Sequence, residues 1–554
     1  MRPGIRQNVK QRLGKLPVKG VADGLFTAKV MAEVGVLRPI RPDRAARALY
    51  ELRRWGPCPA AGSAVTAIVH PDDTAIVDEA GRLSFGETFE RTNALANSWR
   101  QAGIGPGDGV AIMCRDHRGF IEATVAASKL GANVLYLNTA FAAPQIRDVI
   151  AREQPTAIVY DEEFAGLLEG AGEGVQRFVA WSDDARGAGH SGEPTLEELI
   201  AAGARTPLAP PAEPGRFVIL TSGTTGTPKG AQRAQPDGLG VVASLFSKIP
   251  LRTRRVTVIA APLFHSWGFS HFLFGCALGS TFVLRRRFDP EETLRAVAEH
   301  EADALVAVPV MIQRILELPE ETLARYSLPS LRVTALSGSA LPGDLATAWM
   351  DRFGDNLYNL YGSTEVAWAT IATPEDLRAA PGTAGKPPRG TVVKIVDEAG
   401  RELAQGETGR IFVGNEMAFE GYTGGGDKER IEGLLSSGDV GHFDEGGRLF
   451  IDGRDDEMIV SGGENVFPRE VEDLLADHDA VLEAAVVGVP DDQFGQRLKA
   501  FVVTAPGASF SDEDVKSYVK ANLARFKVPR EVVFMDELPR NPSGKVLKRE
   551  LTGA

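Results

Sequence analysis

Three observations predict an α/β fold in two parts. From about residue 64, short apolar runs alternate with patterns of helical period, the signature of parallel strands covered by helices. After about residue 380 the helical patterns give way to short strands and turns. Residues 457–554 then resume an alternation of their own, long enough to stand as a separate small unit. The expected architecture is α/β: a large N-terminal domain of two parallel-type sheets packed with helices, closed by a β-rich subdomain, and a small, mobile α+β C-terminal domain.

The elements follow in order. Residues 1–60 form a basic extension, with helices expected over 24–36 and 43–55 and Gly56-Pro57 ending the second. Short apolar runs bounded by turn residues predict strands at 75–77, 109–113, 133–137 and 156–160. Helices are expected between them over 87–102 and 120–130. Residues 203–214 contain four prolines and read as a stiff loop before an apolar strand at 217–220. Strands continue at 256–260, 281–284, 304–308 and 333–336, then at 391–396 and 409–413 in the β-rich part. In the last unit, helices are expected at 469–477 and 512–522 and strands at 482–487 and 499–503. The charged run 453–457 suits a hinge, so the domains are 1–60, 61–453, a hinge at 454–456, and 457–554.

Composition narrows the class. A chain of 554 residues is too long for one hydrophobic core. No run approaches the ~20 apolar residues that span a bilayer, and residues 1–20 lack the apolar stretch of a secretory signal. Cys58, Cys114 and Cys276 are far apart, which fits a reducing cytoplasm rather than a disulfide or zinc framework. The net charge of −13 argues against nucleic acid as a partner. Residues 1–56 are basic against that background. They suit either peripheral contact with an anionic membrane or a solvated arm folded on the body; the short apolar face favours the arm.

The richest segment is Thr221-Ser222-Gly223-Thr224-Thr225-Gly226-Thr227-Pro228-Lys229-Gly230. Glycines let backbone N–H groups approach an anion closely, hydroxyls add donors, and the lysine adds a charge. The chemistry is that of a phosphate-gripping loop, but the order is not that of a Walker A loop. Four further segments accompany it: 359–365 (NLYGSTE), 436–440 (SSGDV), 453–466 with its SGGEN turn, and 541–548 (NPSGKVLK).

In that order and spacing these five motifs resemble the adenylate-forming superfamily, and within it bacterial long-chain fatty acyl-CoA synthetases. The resemblance covers about residues 65–554. It implies ATP and Mg2+ as cofactors, CoA as co-substrate, and a fatty acid activated as an acyl adenylate; it also leaves a homodimer open. Thr221, Ser222, Gly223, Thr224, Thr225, Gly226 and Lys229 would hold the β- and γ-phosphates. Tyr361 would pack on adenine, with Gly338, Ser339 and Ala340 opposite and Gly362 and Thr364 beside it. Asp439 would accept from the ribose hydroxyls and Arg454 would assist there. Glu365 would bind Mg2+, a hard cation that prefers oxygen. Lys545, with Glu365 and Thr221, would form the catalytic set, its ammonium offsetting the charge that builds as a carboxylate meets the α-phosphate.

For the second step the resemblance implies rotation of the small domain about Asp456, so that Gly462, Gly463 and Glu464 face a tunnel for the pantetheine thiol. Glu457 after the pivot and Leu360 before the tyrosine depart from the common pattern. His265, Trp267, Gly268 and Phe269 read as walls of an apolar acyl pocket, since no acid stands there to pair an amino-acid ammonium. Arginines at 252, 254 and 255 and at 285–287 are candidates for the CoA phosphates, and Lys548 reads as an ordinary exposed lysine. Three alternatives stay open: a fatty acyl-AMP ligase loading a carrier protein, a ligase of aryl or other carboxylates, and a non-catalytic binding module.

Overall fold

Two sheets of mainly parallel strands lie at the centre of the large domain, as the alternation predicts. The computed structural model describes residues 21–552 apart from 37–39, 184–191, 222–228, 234–237, 340, 398, 418, 423–427, 455–458, 467, 506, 540–545 and 547. The first sheet has eight strands in the order Thr370–Ala372, Leu357–Tyr361, Val333–Leu336, Ala304–Ala307, Val256–Ile259, Thr281–Leu284, Thr74–Asp78 and Gly81–Ser84. Its inner strands are parallel and its two edge strands antiparallel. Ala304–Ala307 and Val333–Leu336 are buried at every residue, which is why they read as unbroken apolar runs rather than alternating ones.

The second sheet runs Phe419–Tyr422, Lys229–Arg233, Phe217–Thr221, Asn133–Tyr136, Gly109–Met113, Ala157–Asp161 and Gln176–Trp181. The last five are parallel. Phe217–Thr221 and Lys229–Arg233 form an antiparallel hairpin in which Thr221 sits opposite Lys229. Lys229 and Gly230 therefore belong to the returning strand rather than to the turn, and the ladder pins both ends of the glycine- and threonine-rich segment together.

A third, antiparallel sheet contains Val392–Val396, Gly409–Gly414, Leu434–Phe443 and Leu449–Arg454. The C-terminal unit has its own five-stranded sheet, built on the long hairpin Val481–Asp491 and Gly495–Thr504 and packed against the helices Pro468–Ala476 and Asp512–Asn522. Helices α1 (Val21–Val34) and α2 (Pro42–Trp55) lie on the outside of the large domain, on Leu239–Phe246 and Pro59–Val69 respectively. The sequence gives little sign of the helix Pro59–Val69. Its four alanines favour a helix, but Gly62, Ser63 and the β-branched Val65, Thr66, Ile68 and Val69 offset them and eleven residues are marginal alone; packing stabilises it, and a Cβ at Gly62 would lie 3.0 Å from that of Cys276.

Helix α3 (Ser266–Leu278) joins the two central sheets. The Trp267 indole N–H donates to the carbonyls of Ala307 and Ala335, at the ends of first-sheet strands. Phe269 instead packs on Tyr136 and Phe217 of the second sheet, with ring centroids 4.7 and 5.4 Å away. Gly268 lets the helix sit close: a Cβ there would lie 2.4 Å from the Pro262 carbonyl oxygen.

Candidate active site

Tyr361 and Gly338, two of the residues expected on the nucleotide side, sit at the carboxyl ends of first-sheet strands, where an open α/β sheet places its ligands. Tyr361 ends the strand Leu357–Tyr361, and its hydroxyl donates to Asp439 Oδ2 at 2.5 Å. Asp439 lies in Leu434–Phe443, buried, and its register partner on the next strand is Arg454. The irregular stretch of the strand before it is held by hydroxyls, with the Gly438 and Asp439 N–H groups donating to Ser436 and Ser437 Oγ. Gly438 has φ +83, a left-handed conformation that glycine adopts freely. Gly338, with φ +98, follows the strand Val333–Leu336 with Ser339 after it. Gly362 packs so closely on the Ala367 carbonyl that any Cβ would lie 2.2 Å from its oxygen. Thr364 stands beside it in the turn.

Glu365 is held from both sides. Its Oε1 accepts from the Tyr422 hydroxyl at 2.7 Å and its Oε2 from Ser363 Oγ at 2.8 Å. Burial pushes its carboxyl up, but the Lys428 ammonium and the two hydroxyls outweigh that and hold it below the usual carboxylate range. The result is an ionised, oriented, hard oxygen donor, the chemistry that fits Mg2+ shared with substrate phosphates. Each carboxylate oxygen keeps a lone pair beyond its one hydroxyl partner.

The residues expected on the acyl side include one, His265, that meets the C-terminal unit. His265 is the residue preceding α3, and its Nε2 lies 2.7 Å from Glu464 Oε1 of the C-terminal unit. Asn138 Nδ2 reaches the same oxygen at 3.4 Å. Burial alone would lower the His265 pKa; the Glu464 carboxylate outweighs this and raises it. Burial likewise pushes Glu464 up, and His265, helped by Asn138 and Lys527, more than reverses that. Gly462 and Gly463 have φ +61 and +87; a Cβ on Gly462 would meet the Phe494 ring at 2.8 Å, and one on Gly463 would stand 3.7 Å from the Gly338 carbonyl oxygen. The Gly462–Glu464 turn is thus seated against both Gly338 and the start of α3.

A second contact fixes the same domain arrangement. Ala524 is fully buried in the core of the large domain's second sheet, and the Arg525 N–H donates to the Ala140 carbonyl at 3.3 Å. Beside it the buried pair Lys527–Glu470 receives a hydrogen bond from Gln145 of the large domain.

Ser222, Gly223, Thr224, Thr225, Gly226, Ala340, Asp456 and Lys545 lie outside the described residues, and Thr221, Lys229 and Arg454 are described by their backbone alone. Tyr422, Lys428, Asn138 and Gln145 were not singled out from the sequence; no local motif marks them, and only the fold brings them in. The two arginine clusters do not converge. They stand at opposite ends of the parallel neighbours Val256–Ile259 and Thr281–Leu284, and most are engaged: Arg254 with Asp73 at 2.9 Å, Arg285 with Glu292 at 3.1 Å, Arg286 and Arg287 with Glu163 at 2.9 and 3.0 Å. Lys548 also has a partner, Glu472 at 3.0 Å.

Cys114, His117 and Asp161 are close enough to suggest a metal site. Their polar atoms are already used. His117 Nδ1 accepts from the Gly119 N–H at 3.0 Å, its Nε2 meets Asp161 Oδ1 at 2.8 Å, and Asp161 Oδ2 accepts from the Arg115 N–H at 2.9 Å. Burial raises the Cys114 thiol pKa, which opposes the thiolate a metal needs. The cluster caps the helix Arg118–Leu130.

Residues 64–423 match the AMP-binding enzyme family, and residues 470–545 match the AMP-binding enzyme C-terminal domain. A feruloyl-CoA synthase of Amycolatopsis is 31% identical over 88% of this chain and 96% of its own length. A CoA ligase of Rhodococcus jostii for 3-[(3aS,4S,7aS)-7a-methyl-1,5-dioxo-octahydro-1H-inden-4-yl]propanoate is 31% identical over 86% of this chain and 95% of its own. The solved o-succinylbenzoate CoA synthetase of Bacillus subtilis superposes with a TM-score of 0.76 at 27% identity, covering 90% of this chain and 98% of that one. With a family match across more than half its length and both domains in sequence order, the chain belongs to the AMP-binding enzymes of the adenylate-forming superfamily.

Proposed function

We propose that this protein is an AMP-forming acid–CoA ligase whose substrate is a fatty acid. In the first step the carboxylate oxygen bonds the α-phosphorus of ATP and pyrophosphate leaves. In the second the CoA sulfur bonds the acyl carbon, the acyl–phosphate oxygen bond breaks, AMP departs with its electron pair, and the thiol proton passes to solvent. The observation that carries the reading is the seating of Gly463 at Gly338 and of Glu464 on His265. Those contacts support it: a glycine turn of the C-terminal unit, with no side chain to obstruct a thin thiol arm, is seated against Gly338 and His265, which would serve the nucleotide and the acyl group.

The residues divide the work. Tyr361 and Asp439 would fix adenine and ribose. Glu365, kept ionised, would hold Mg2+, which neutralises phosphate charge when bound. Lys545 would act in the first step and be carried away for the second. Catalysis then rests on positioning and electrostatics.

A second reading keeps the chemistry and changes the acid. The relatives named above act on ring-bearing carboxylates, and the rings of Tyr136, Phe217, Phe269 and Phe272 gather beside α3, where flat faces favour an aromatic partner. Pyrophosphate release with CoA present, measured over straight-chain fatty acids and a matched set of aryl and alicyclic acids, separates the two. A kcat/KM that rises with chain length supports the fatty acid; a clear preference for ring acids replaces it. Acyl-AMP that never becomes acyl-CoA would point to a carrier-protein acceptor.

A further inference from the structure

Six of the ten large apolar side chains that stand exposed among the described residues fall between residues 25 and 52: Leu25, Val36, Ile40, Leu49, Tyr50 and Leu52. Scattered single exposures carry no meaning, but a concentration of them in so short a stretch marks an interaction surface. Helix α2 shows the pattern most clearly. Its inner side holds Ala48, at 6% exposure, with Glu51 and Trp55 partly covered. A surface helix ordinarily turns polar residues outward. This one turns out Leu49, Tyr50 and Leu52, at 50, 61 and 46% exposure, interleaved with exposed Arg47 and Arg53. Among the described residues neither arginine has an ion-pair or hydrogen-bond partner, whereas Arg54 is engaged by Glu51 at 2.8 Å. On α1, Leu25 is 67% exposed with Lys29 one turn on.

Charge identifies the occupant. The first 56 residues carry thirteen Arg and Lys against four Asp and Glu, in a chain whose net charge is −13. The first twenty of them hold six basic residues and no acidic one. Large aliphatic side chains set among unpaired arginines match an anionic bilayer surface: the apolar groups enter the headgroup–acyl boundary and the guanidinium groups meet lipid phosphates. A nucleic acid would reward the arginines but not the leucines. We propose that the N-terminal extension, through the outer faces of α1 and α2, docks this protein on anionic phospholipid bilayers. The rest of the chain, strongly acidic, is repelled by the same surface, so docking by the extension also sets the orientation.

Flotation of the full chain with vesicles tests this. Vesicles of phosphatidylcholine with about a third phosphatidylglycerol should bind it, pure phosphatidylcholine should not, and high salt should release it. The double variant Arg47→Glu/Arg53→Glu should lower the partition coefficient at least about thirtyfold, since it replaces two charges the lipid attracts by two it repels. Leu49→Gln/Leu52→Gln should lower it comparably. Both should keep the parent melting temperature and the parent pyrophosphate release in vesicle-free solution, so failure of the docking idea is separable from failure of the ligase reading. Equal binding to neutral and anionic vesicles, or unchanged binding in both variants, overturns the proposal. So does tighter retention on an oligonucleotide than on vesicles, or a concentration-dependent dimer that Leu49→Gln/Leu52→Gln abolishes.

Discussion

Replacing Glu464 by Gln removes one charge from the contact that joins the two domains and leaves its shape. In the parent, Glu464 Oε1 meets His265 Nε2 at 2.7 Å with both side chains partly exposed. A hydrogen bond with an ionised partner contributes about 1.5–3 kcal/mol and a neutral one about 0.5–1.5. Discounting the difference for solvent screening leaves about 1 kcal/mol, or roughly a fivefold loss in the population of this domain arrangement. If the arrangement serves thioester formation, transfer from preformed acyl-AMP to CoA should slow about fivefold while acid-dependent pyrophosphate exchange keeps its rate.

The pH profile adds a second readout. The charged pair exists between the depressed Glu464 pKa and the raised His265 pKa. Its contribution is lost as pH falls through the first and as pH rises through the second. Without the carboxylate, burial alone acts on His265 and its pKa falls below the ordinary value, so the alkaline limb of the transfer step should move to lower pH in the variant. Single-turnover quench-flow of each half-reaction measures both effects. Equal slowing of the two half-reactions, or an alkaline limb that does not move, would refute the reasoning.

Other outcomes are expected from the site's geometry and, for Lys545, from the role the resemblance implies. Tyr361→Phe leaves Asp439 without its 2.5 Å hydroxyl partner and should raise the KM for ATP about tenfold with a smaller change for the acid. Lys545→Ala should abolish adenylate formation yet spare thioester formation from supplied acyl-AMP; parallel loss of both counts against its assigned role. Gly268→Ala drives a methyl into the Pro262 carbonyl at 2.4 Å and should cost about 1–3 kcal/mol, read as a lower urea midpoint. Lys527→Met leaves Glu470 buried without its counter-charge, so amides of the helix Pro468–Ala476 should exchange at least ~100-fold faster with deuterium.

The fold was legible because its signals are local. The alternation of buried strands with helices announces the two central sheets, and Asp512–Asn522 stands where its pattern places it, with Ser511 capping it. Helix Pro59–Val69 was not legible, since contacts with α3 and the second layer of helices decide it rather than its own propensities. The antiparallel strand Lys229–Arg233 escaped for a similar reason: a polar strand paired on a hairpin has no apolar run to betray it. At the site, glycine-rich turns show in the sequence because a left-handed backbone or a close approach demands glycine locally, as at Gly438 and Gly462. Partners supplied by tertiary structure do not show. Tyr422 meets Glu365 from 57 residues away, and Asn138 meets Glu464 from 326. The two arginine clusters do not converge, because charge spacing in the chain says nothing of which end of a strand each occupies.

The most direct measurement follows labelled pyrophosphate into ATP on the purified chain, acid by acid, and then adds CoA. Exchange is expected only when an apolar carboxylic acid is present, with acyl-AMP on the enzyme before CoA and one acyl-CoA with one AMP per adenylate consumed after it. A chain that exchanges no label with any acid offered, or that exchanges label without acid, would contradict it.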